Sequence, residues 1–373
     1  MATEVAKAKQ KNRVLYVSLG GGGNSVLNQM QETTNLVPTA EDAVYVNFAK
    51  SDISEKFKGI KFIIDKQGTG RNPKVGRDII REYTEEIDGF FENLLKFPGK
   101  TSRKYDQVVL LASLGGGTGS SLIPEALNKF CGKIPTILIG LLPSAKEGVS
   151  TLPNSINCFQ TIYNDFILTD RLKSFFIVDN GKYESEYEIG TYDYKKINEY
   201  AIQHIEELLN FAKLEESSET HSSLDYNDYC RVLFWGKGVS DFGLVGINKP
   251  DDVEEFKLSS SIFSGAMDRK SAKAISVFIK FKHTKANADK NGAVAIANNY
   301  IDKIKKLFKD SFFVFGYNFN NSDQDDLIEA RIVVNGLAAP KYLTKVADKT
   351  AKSVGKLRTV NQTFSTSADL SLD

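Results

Sequence analysis

The stretch Gln107-Val108-Val109-Leu110-Leu111-Ala112-Ser113-Leu114-Gly115-Gly116-Gly117-Thr118-Gly119-Ser120 decides how the rest of the chain is read. It passes from a near-continuous apolar run into a glycine cluster, and residues 121–130 continue it with a helical pattern. A strand that is apolar on both faces belongs inside a parallel sheet covered by helices. Glycines let the backbone approach an anion closely, with its N–H groups turned inward. The following helix N-terminus adds unpaired donors and partial positive charge. Thr118, Ser120 and Ser121 add hydroxyls, and the loop has no lysine. A phosphate here is expected to be held by backbone dipoles, with a metal ion neutralising the remaining charge. Taken alone, such a loop is equally a tight strand-to-helix turn.

Further out, the pattern repeats. Val14-Leu15-Tyr16-Val17-Ser18-Leu19 ends in Gly20-Gly21-Gly22-Gly23, and Val26, Leu27 and Met30 then keep helical spacing. Residues 43–48, 61–64, 134–142 and 174–178 read as further strands, and 75–95 as one or two amphipathic helices. A third loop, Gly68-Thr69-Gly70-Arg71-Asn72-Pro73, follows the strand ending at Ile64. In a parallel sheet all three loops lie at the carboxyl edge, where ligands bind. Two superficial matches fail. Gly99-Lys100-Thr101 resembles the end of a P-loop, but Leu94 stands where the motif needs glycine. Gly20–Gly23 miss the dinucleotide spacing, because Ser25 occupies the last glycine position.

Composition limits the possibilities. The 373 residues hold 48 basic and 47 acidic side chains, a net charge of +1, with 41% hydrophobic and 25% charged residues. That is a soluble, globular composition of about two domains, without the bulk positive charge of a general nucleic-acid binder. No apolar run reaches the roughly 18 residues of a membrane span, and residues 1–12 have no apolar core like that of a secretory signal. Cys131, Cys158 and Cys230 are scattered and read as buried, reduced thiols of a cytoplasmic protein. His204, His221 and His283 are too dispersed for a histidine metal site. Residues 192–213 carry a long helical pattern, and the polar stretch 215–223 separates the halves. Beyond it, 231–235, 274–281, 312–319 and 328–334 read as strands, and 264–270 and 293–308 as helices, an α+β arrangement.

These loops resemble those of the tubulin/FtsZ superfamily of filament-forming GTPases. Gly115-Gly116-Gly117-Thr118-Gly119-Ser120 is similar to its signature loop, and Gly20–Val26, Gly68–Gly76 and Leu142-Pro143-Ser144-Ala145-Lys146-Glu147-Gly148 to its first, third and fifth loops. All occur in family order, over roughly residues 13–340, and the style is most like the plasmid- and phage-encoded TubZ branch. The resemblance implies an α/β fold: a GTP-binding domain (13–190), a central helix (191–215), a GTPase-activating α+β domain (222–339) and a C-terminal helix with a polar tail (340–373). It implies GTP/GDP and Mg2+. Phosphate contacts fall to Gly20, Gly21, Gly22, Gly23, Gly68, Thr69, Gly70, Asn72, Gly115, Gly116, Gly117, Thr118, Gly119 and Ser120. Asn24, Pro143, Glu147, Asn180, Tyr194 and Asn198 fall to ribose and base, and Asp52 to the metal through water. Tyr194 and Asn198, four residues apart on a helix, face the same way.

Leu224-Asp225-Tyr226-Asn227-Asp228-Tyr229 resembles the loop with which such proteins complete the site of the next subunit. Asp225 and Asp228 are then the catalytic pair that positions the attacking water, although Ser223 departs from the usual asparagine. The bland alternative is a helix cap in a polar connector. A site split between copies implies head-to-tail filaments. Lys341, Lys345, Lys349, Lys352 and Lys356 share one helical face, which is either a solvated surface or a docking strip for an acidic partner, a neighbouring subunit or DNA phosphates. In the TubZ branch a DNA-bound adaptor protein attaches near the tail. The expected function is therefore a filament for plasmid or phage DNA segregation. A division-type or phage-centring filament is the nearest alternative, and a non-polymerising GTP-binding enzyme or sensor the more distant one.

Overall fold

The computed structural model describes residues 13–64, 67–96, 105–144, 147, 150–181, 194–210, 220–222, 226–246, 271–282, 290–320 and 327–338. The expected helix at 264–270, Asp225, Ser223, the lysine face at 341–356 and the terminal segments lie outside these residues.

Six parallel strands form the first part of the sheet: β1 (Val14–Leu19), β2 (Ala43–Asn47), β3 (Ile60–Ile63), β4 (Gln107–Ser113), β5 (Thr136–Leu142) and β6 (Ser174–Asp179). Their spatial order is β3-β2-β1-β4-β5-β6. The order reverses between β1 and β4, which opens a crevice at their carboxyl ends. Alternate side chains divide the core between the two faces, as the pleat demands. Leu15, Val17 and Leu19 pack with α2 (Pro73–Glu82), α3 (Thr84–Leu94), α4 (Gly117–Phe130) and α5 (Thr151–Ile162). Tyr16, Val109 and Leu111 pack with α1 (Gly20–Thr33), α6 (Tyr194–Leu209) and α7 (Tyr226–Leu233).

The sheet continues through β8 (Val239–Gly246), β11 (Leu327–Leu337), β9 (Ala274–Lys282), β10 (Phe312–Asn320) and β7 (Thr220–Ser222). A single parallel bridge, Phe176 opposite Ser240, joins β6 to β8. Here Ile275, Val277 and Ile279 face α8 (Lys290–Leu307), while Ala274 and Phe278 face α7. Among the described residues no helix is long and apolar enough to cross a membrane.

Several sequence expectations change. Residues 231–233, expected in a strand, end helix α7. Tyr229, Val232 and Leu233 are all buried at helical spacing, a period hidden by the short apolar run around them. Strand β8 went unread because Gly243, Gly246 and Asp241 interrupt its apolar pattern. The 75–95 segment is two helices, broken at Tyr83. Of the cysteines only Cys158 is fully buried; Cys131 and Cys230 are partly exposed. Pro124, inside α4, cannot donate to the Ser120 carbonyl one turn back. The Cys158 thiol supplies a weak donor there, 3.8 Å away, and burial pushes its pKa up to about 12, so the proton is retained.

Asn335 fastens the two parts of the sheet. It is fully buried on β11, and its Nδ2 lies 2.7 Å from the Lys173 carbonyl, 2.8 Å from that of Leu233 and 3.0 Å from Ser240 Oγ. Its Oδ1 accepts from Gly236 N at 3.1 Å. One amide thus ties the approach to β6, the end of α7, strand β8 and the turn between them. Asn335→Ala strands several buried groups at once and should lower stability by about 2–4 kcal/mol in urea unfolding. A loss under about 0.5 kcal/mol, the range of ordinary surface changes, would contradict this role.

Candidate functional site

The crevice between β1 and β4 is floored by two helix beginnings. Both helices start inside their glycine runs, earlier than the sequence implied: α1 at Gly20 and α4 at Gly117. Neither has a side-chain cap or an acidic residue in its first turn. Two sets of unclaimed N–H groups, each with the positive end of a helix dipole, therefore meet at the sheet edge. Gly20 makes this possible. Its φ is +72°, and a Cβ there would stand 2.8 Å from Gly119 N. Loop 67–72 closes the third side. A Cβ on Gly117 would collide with the Thr69 side chain and stand 2.8 Å from Asn72 N.

The hydroxyls of the loop have partners of their own. Ser120 Oγ turns back onto the Gly116 carbonyl, and Ser121 Oγ donates to the Gly117 carbonyl at 2.8 Å. Both thus share the first-turn carbonyls of their own helix with the backbone N–H groups and point back along it. Thr118 Oγ1 makes no hydrogen bond among the described residues. Asn72 serves as the N-cap of α2, its Oδ1 accepting from Lys74 N at 3.0 Å. Asn24 is fully buried, and Ser18 Oγ donates to its Oδ1 at 2.8 Å. That contact fastens α1 to β1, and the Asn24 Nδ2 has no partner among the described residues. Asp52 is exposed in the short turn 50–52 that follows β2, 3.4 Å from Asn47 Nδ2, with its Oδ2 facing Gly21 of α1.

The other expected residues converge at the β5–β6 end. Pro143 packs against Gly115. Glu147 accepts from Asn180 Nδ2 at 2.9 Å, from Ser144 N at 2.9 Å and from Tyr194 Oη at 3.3 Å. Asn198 Nδ2 donates to Ser25 Oγ at 3.1 Å, which joins α6 to α1. Tyr194, 44% exposed, thus offers an aromatic face at the mouth beside two amides and a carboxylate. Two contributors carried no role in the sequence reading. Arg71 Nη1 donates to the Glu147 carbonyl at 2.9 Å, and Asn154 Nδ2 donates to the Arg71 carbonyl at 2.8 Å. The one signal for Arg71 was a long cation inside a glycine loop, and nothing in the sequence pointed to Asn154.

Asp228 lies elsewhere. It sits in the first turn of α7, 33% exposed, with its Oδ1 3.9 Å from Arg231 Nη1. The neighbouring Tyr229 Oη donates to the Leu208 carbonyl at 2.6 Å, at the far end of α6 from Tyr194. Helix α6 has 16 residues, so its ends are about 24 Å apart. Asp228 therefore stays away from its own crevice. Among the described residues no three metal-ligating side chains cluster.

Residues 13–182 match the family described as "Tubulin/FtsZ family, GTPase domain". The tubulin-like protein CetZ1 of Haloferax volcanii is 24% identical over 249 residues, covering 62% of this chain and 58% of that protein. TubZ of Clostridium botulinum C phage is 26% identical over 191 residues, or 48% of each chain. The chain thus matches only about half the length of these curated relatives. A crystal structure of a GTPγS-form protofilament of Bacillus thuringiensis serovar israelensis TubZ superposes with a TM-score of 0.73 at 18% identity, covering 96% of this chain and 95% of that one. That likeness extends the shared fold over both parts of the sheet.

The Glu147–Tyr194 contact is open to titration. Burial raises the Tyr194 pKa, the Glu147 charge and hydrogen bond raise it further, and Arg71 opposes them. Glu147→Gln should bring the Tyr194 transition down without restoring the free value, since burial persists; Arg71→Ala should move it up. Tyrosinate absorbance, corrected with Tyr194→Phe, measures both shifts. Equal titration in all three backgrounds would exclude the contact.

Proposed function

From the premise that residues 13–182 are a tubulin/FtsZ family GTPase domain, we propose that this chain is a GTP-hydrolysing, filament-forming protein of TubZ type. In this reading copies assemble head to tail and hydrolyse GTP at each junction. The observation that carries it is the separation along α6. The candidate base-reading residues stand at one end and Asp228 at the other, about 24 Å apart for 16 residues. A carboxylate that cannot reach its own nucleotide can serve a neighbour's if every copy presents one end to the other end of the next.

The polyphosphate lies over the uncapped starts of α1 and α4, held by backbone N–H groups. Guanine stacks on Tyr194, while Asn180 and Asn198 read its edge and Glu147 meets the ribose. A Mg2+ ion held there would offset the charge of the polyphosphate. Asp52, beside Asn47, would hold that ion through water. Asp228, with Asp225, comes from the adjoining copy and orients the attacking water as general base. Hydrolysis then follows assembly, and the older lattice holds GDP.

The biological task we assign is segregation or positioning of plasmid or phage DNA in the host cytoplasm, with a DNA-binding adaptor attached through the C-terminal region. The phage TubZ relative supports this choice. A division-type filament would share the same site, and localisation along DNA or at midcell separates the two.

Sedimentation with GTP tests the central claim: pellets form above a threshold concentration, and hydrolysis per molecule rises steeply across it. Asp228→Ala should leave GTP binding within about twofold, slow turnover about 100-fold or more and yield persistent filaments. Rapid disassembly of that variant, or hydrolysis independent of concentration, would refute the split site.

A further inference from the structure

The amino edge of the sheet carries a groove that the functions above leave unused. Its walls are the start of β5 with the turn before it, the turn that leads into β6, and Phe234 just after α7, and it holds about 580 Å3. It lies at the opposite end of β5 from the crevice, about 23 Å away along seven residues. Both turns have left-handed backbone, Gly132 at φ +79° and Asp170 at φ +63°. A π-helical turn, Tyr163–Ile167, delivers the second of them, and such turns are frequent at functional positions. The groove also straddles the seam: Phe234 belongs to the second part of the sheet and the other walls to the first. Lys237 Nζ reaches the Leu168 carbonyl at 3.4 Å and Asn335 Nδ2 the Lys173 carbonyl at 2.7 Å, so its two sides are held to each other.

Its chemistry is amphipathic. Ile134, Pro135 and Phe234 give apolar walls. Cys131 adds to them, because burial pushes its thiol pKa up to about 12 and keeps it neutral. The charges are one-sided: among the described residues Lys133, Arg171 and Lys173 face one acid, Asp170, which already meets Lys173 Nζ at 3.4 Å. Arg171 lies over the Phe166 ring at 4.6 Å and donates Nη2 to Asn128 Oδ1 at 2.8 Å, which holds its guanidinium in place. Among the described residues Arg171 pairs with no carboxylate and Lys133 Nζ has no acceptor. A concave, mostly apolar space of this size with a few convergent polar groups has the form of a small-molecule site. We propose that the groove binds a small organic anion, an apolar body carrying one oxyanion, with the body against Pro135 and Phe234 and the oxyanion at Lys133 and Arg171. Bound there, it touches both sides of the single β6–β8 bridge and stabilises their arrangement by mass action. This inference does not depend on the functional reading above.

The probes are anilinonaphthalene sulfonate, an aromatic body with one oxyanion, and phenylnaphthylamine, the same body without the charge. Trp235, the one tryptophan of the chain, follows Phe234 and is fixed by stacking on Phe312 at 4.1 Å. Energy transfer from Trp235 therefore reports dye bound at the groove. Wild-type protein should show saturable transfer and bind the sulfonate more tightly than the neutral dye. Lys133→Glu should weaken the sulfonate about tenfold and leave the neutral dye within about twofold, as loss of a charge-assisted contact requires. Lys133 is exposed, so this variant keeps the fold. Arg171→Gln should act in the same direction. The proposal fails if the wild type gives no saturable transfer, or if both variants keep the wild-type ratio of the two affinities. Displacement of the sulfonate by GDP also overturns it, because the dye would then occupy the crevice. Loss of transfer as the protein self-associates overturns it too, since a second copy would then fill the groove.

Discussion

Close backbone approach at the β1–β4 crevice is the constraint on which the rest of the structure depends. The α1 start lies against Gly119, and the 67–72 loop lies against Gly117, at separations that leave no room for a side chain. Beginning α1 with four glycines costs about 1 kcal/mol each relative to alanine. Local propensity therefore does not explain the helix start. Docking of the rest of α1 does: Val26, Leu27 and Met30 are fully buried under the sheet, and the Ser18–Asn24 bond fixes the first turns. The result is a concave surface of backbone donors with no competing carboxylate in either helix's first turn.

Helix α6 relates that surface to the remainder of the molecule. Its first turn takes part in the crevice through Tyr194 and Asn198, and its last turn receives Tyr229 of α7. Buried polar groups hold the same region in register. Arg331 on β11 is 3% exposed and pairs with Glu207 of α6 and with Glu329. Asn335, further along β11, grips both sides of the β6–β8 junction. A single bridge between those strands is weak alone. Satisfied buried polar groups at the seam give the two parts one relative position, because any other arrangement leaves donors and a charge unpaired in the interior.

The sequence reading succeeded where period and glycine signals are local. Strands β1 to β6 and the loops after them stand within a few residues of expectation. It failed where tertiary contact overrides pattern, as at 231–233, where a short apolar run reads equally as strand or helix, and at β8, where glycines and Asp241 hide a buried strand. The contacts that the candidate residues make with one another were not legible in the sequence. Ser120 and Ser121 close on their own helix. Asn72 caps a helix, and Asn24 faces the sheet. In each case a nearby backbone or side-chain partner takes one polar atom of the residue, a pairing that no local pattern announces.

By itself, the order of residues determined a parallel sheet with glycine loops at its carboxyl edge, because hydrophobic period and the absence of a Cβ are properties of single positions and short windows. It also determined the likeness to tubulin/FtsZ loops, which is carried by contiguous motifs. Tertiary structure alone decided that Arg71 reaches Glu147, that Glu147 gathers Asn180 and Tyr194, and that Asp228 stands a helix length from its own crevice. Those relations join residues far apart in sequence. Their distances are fixed by strand order and helix length, which no local window contains.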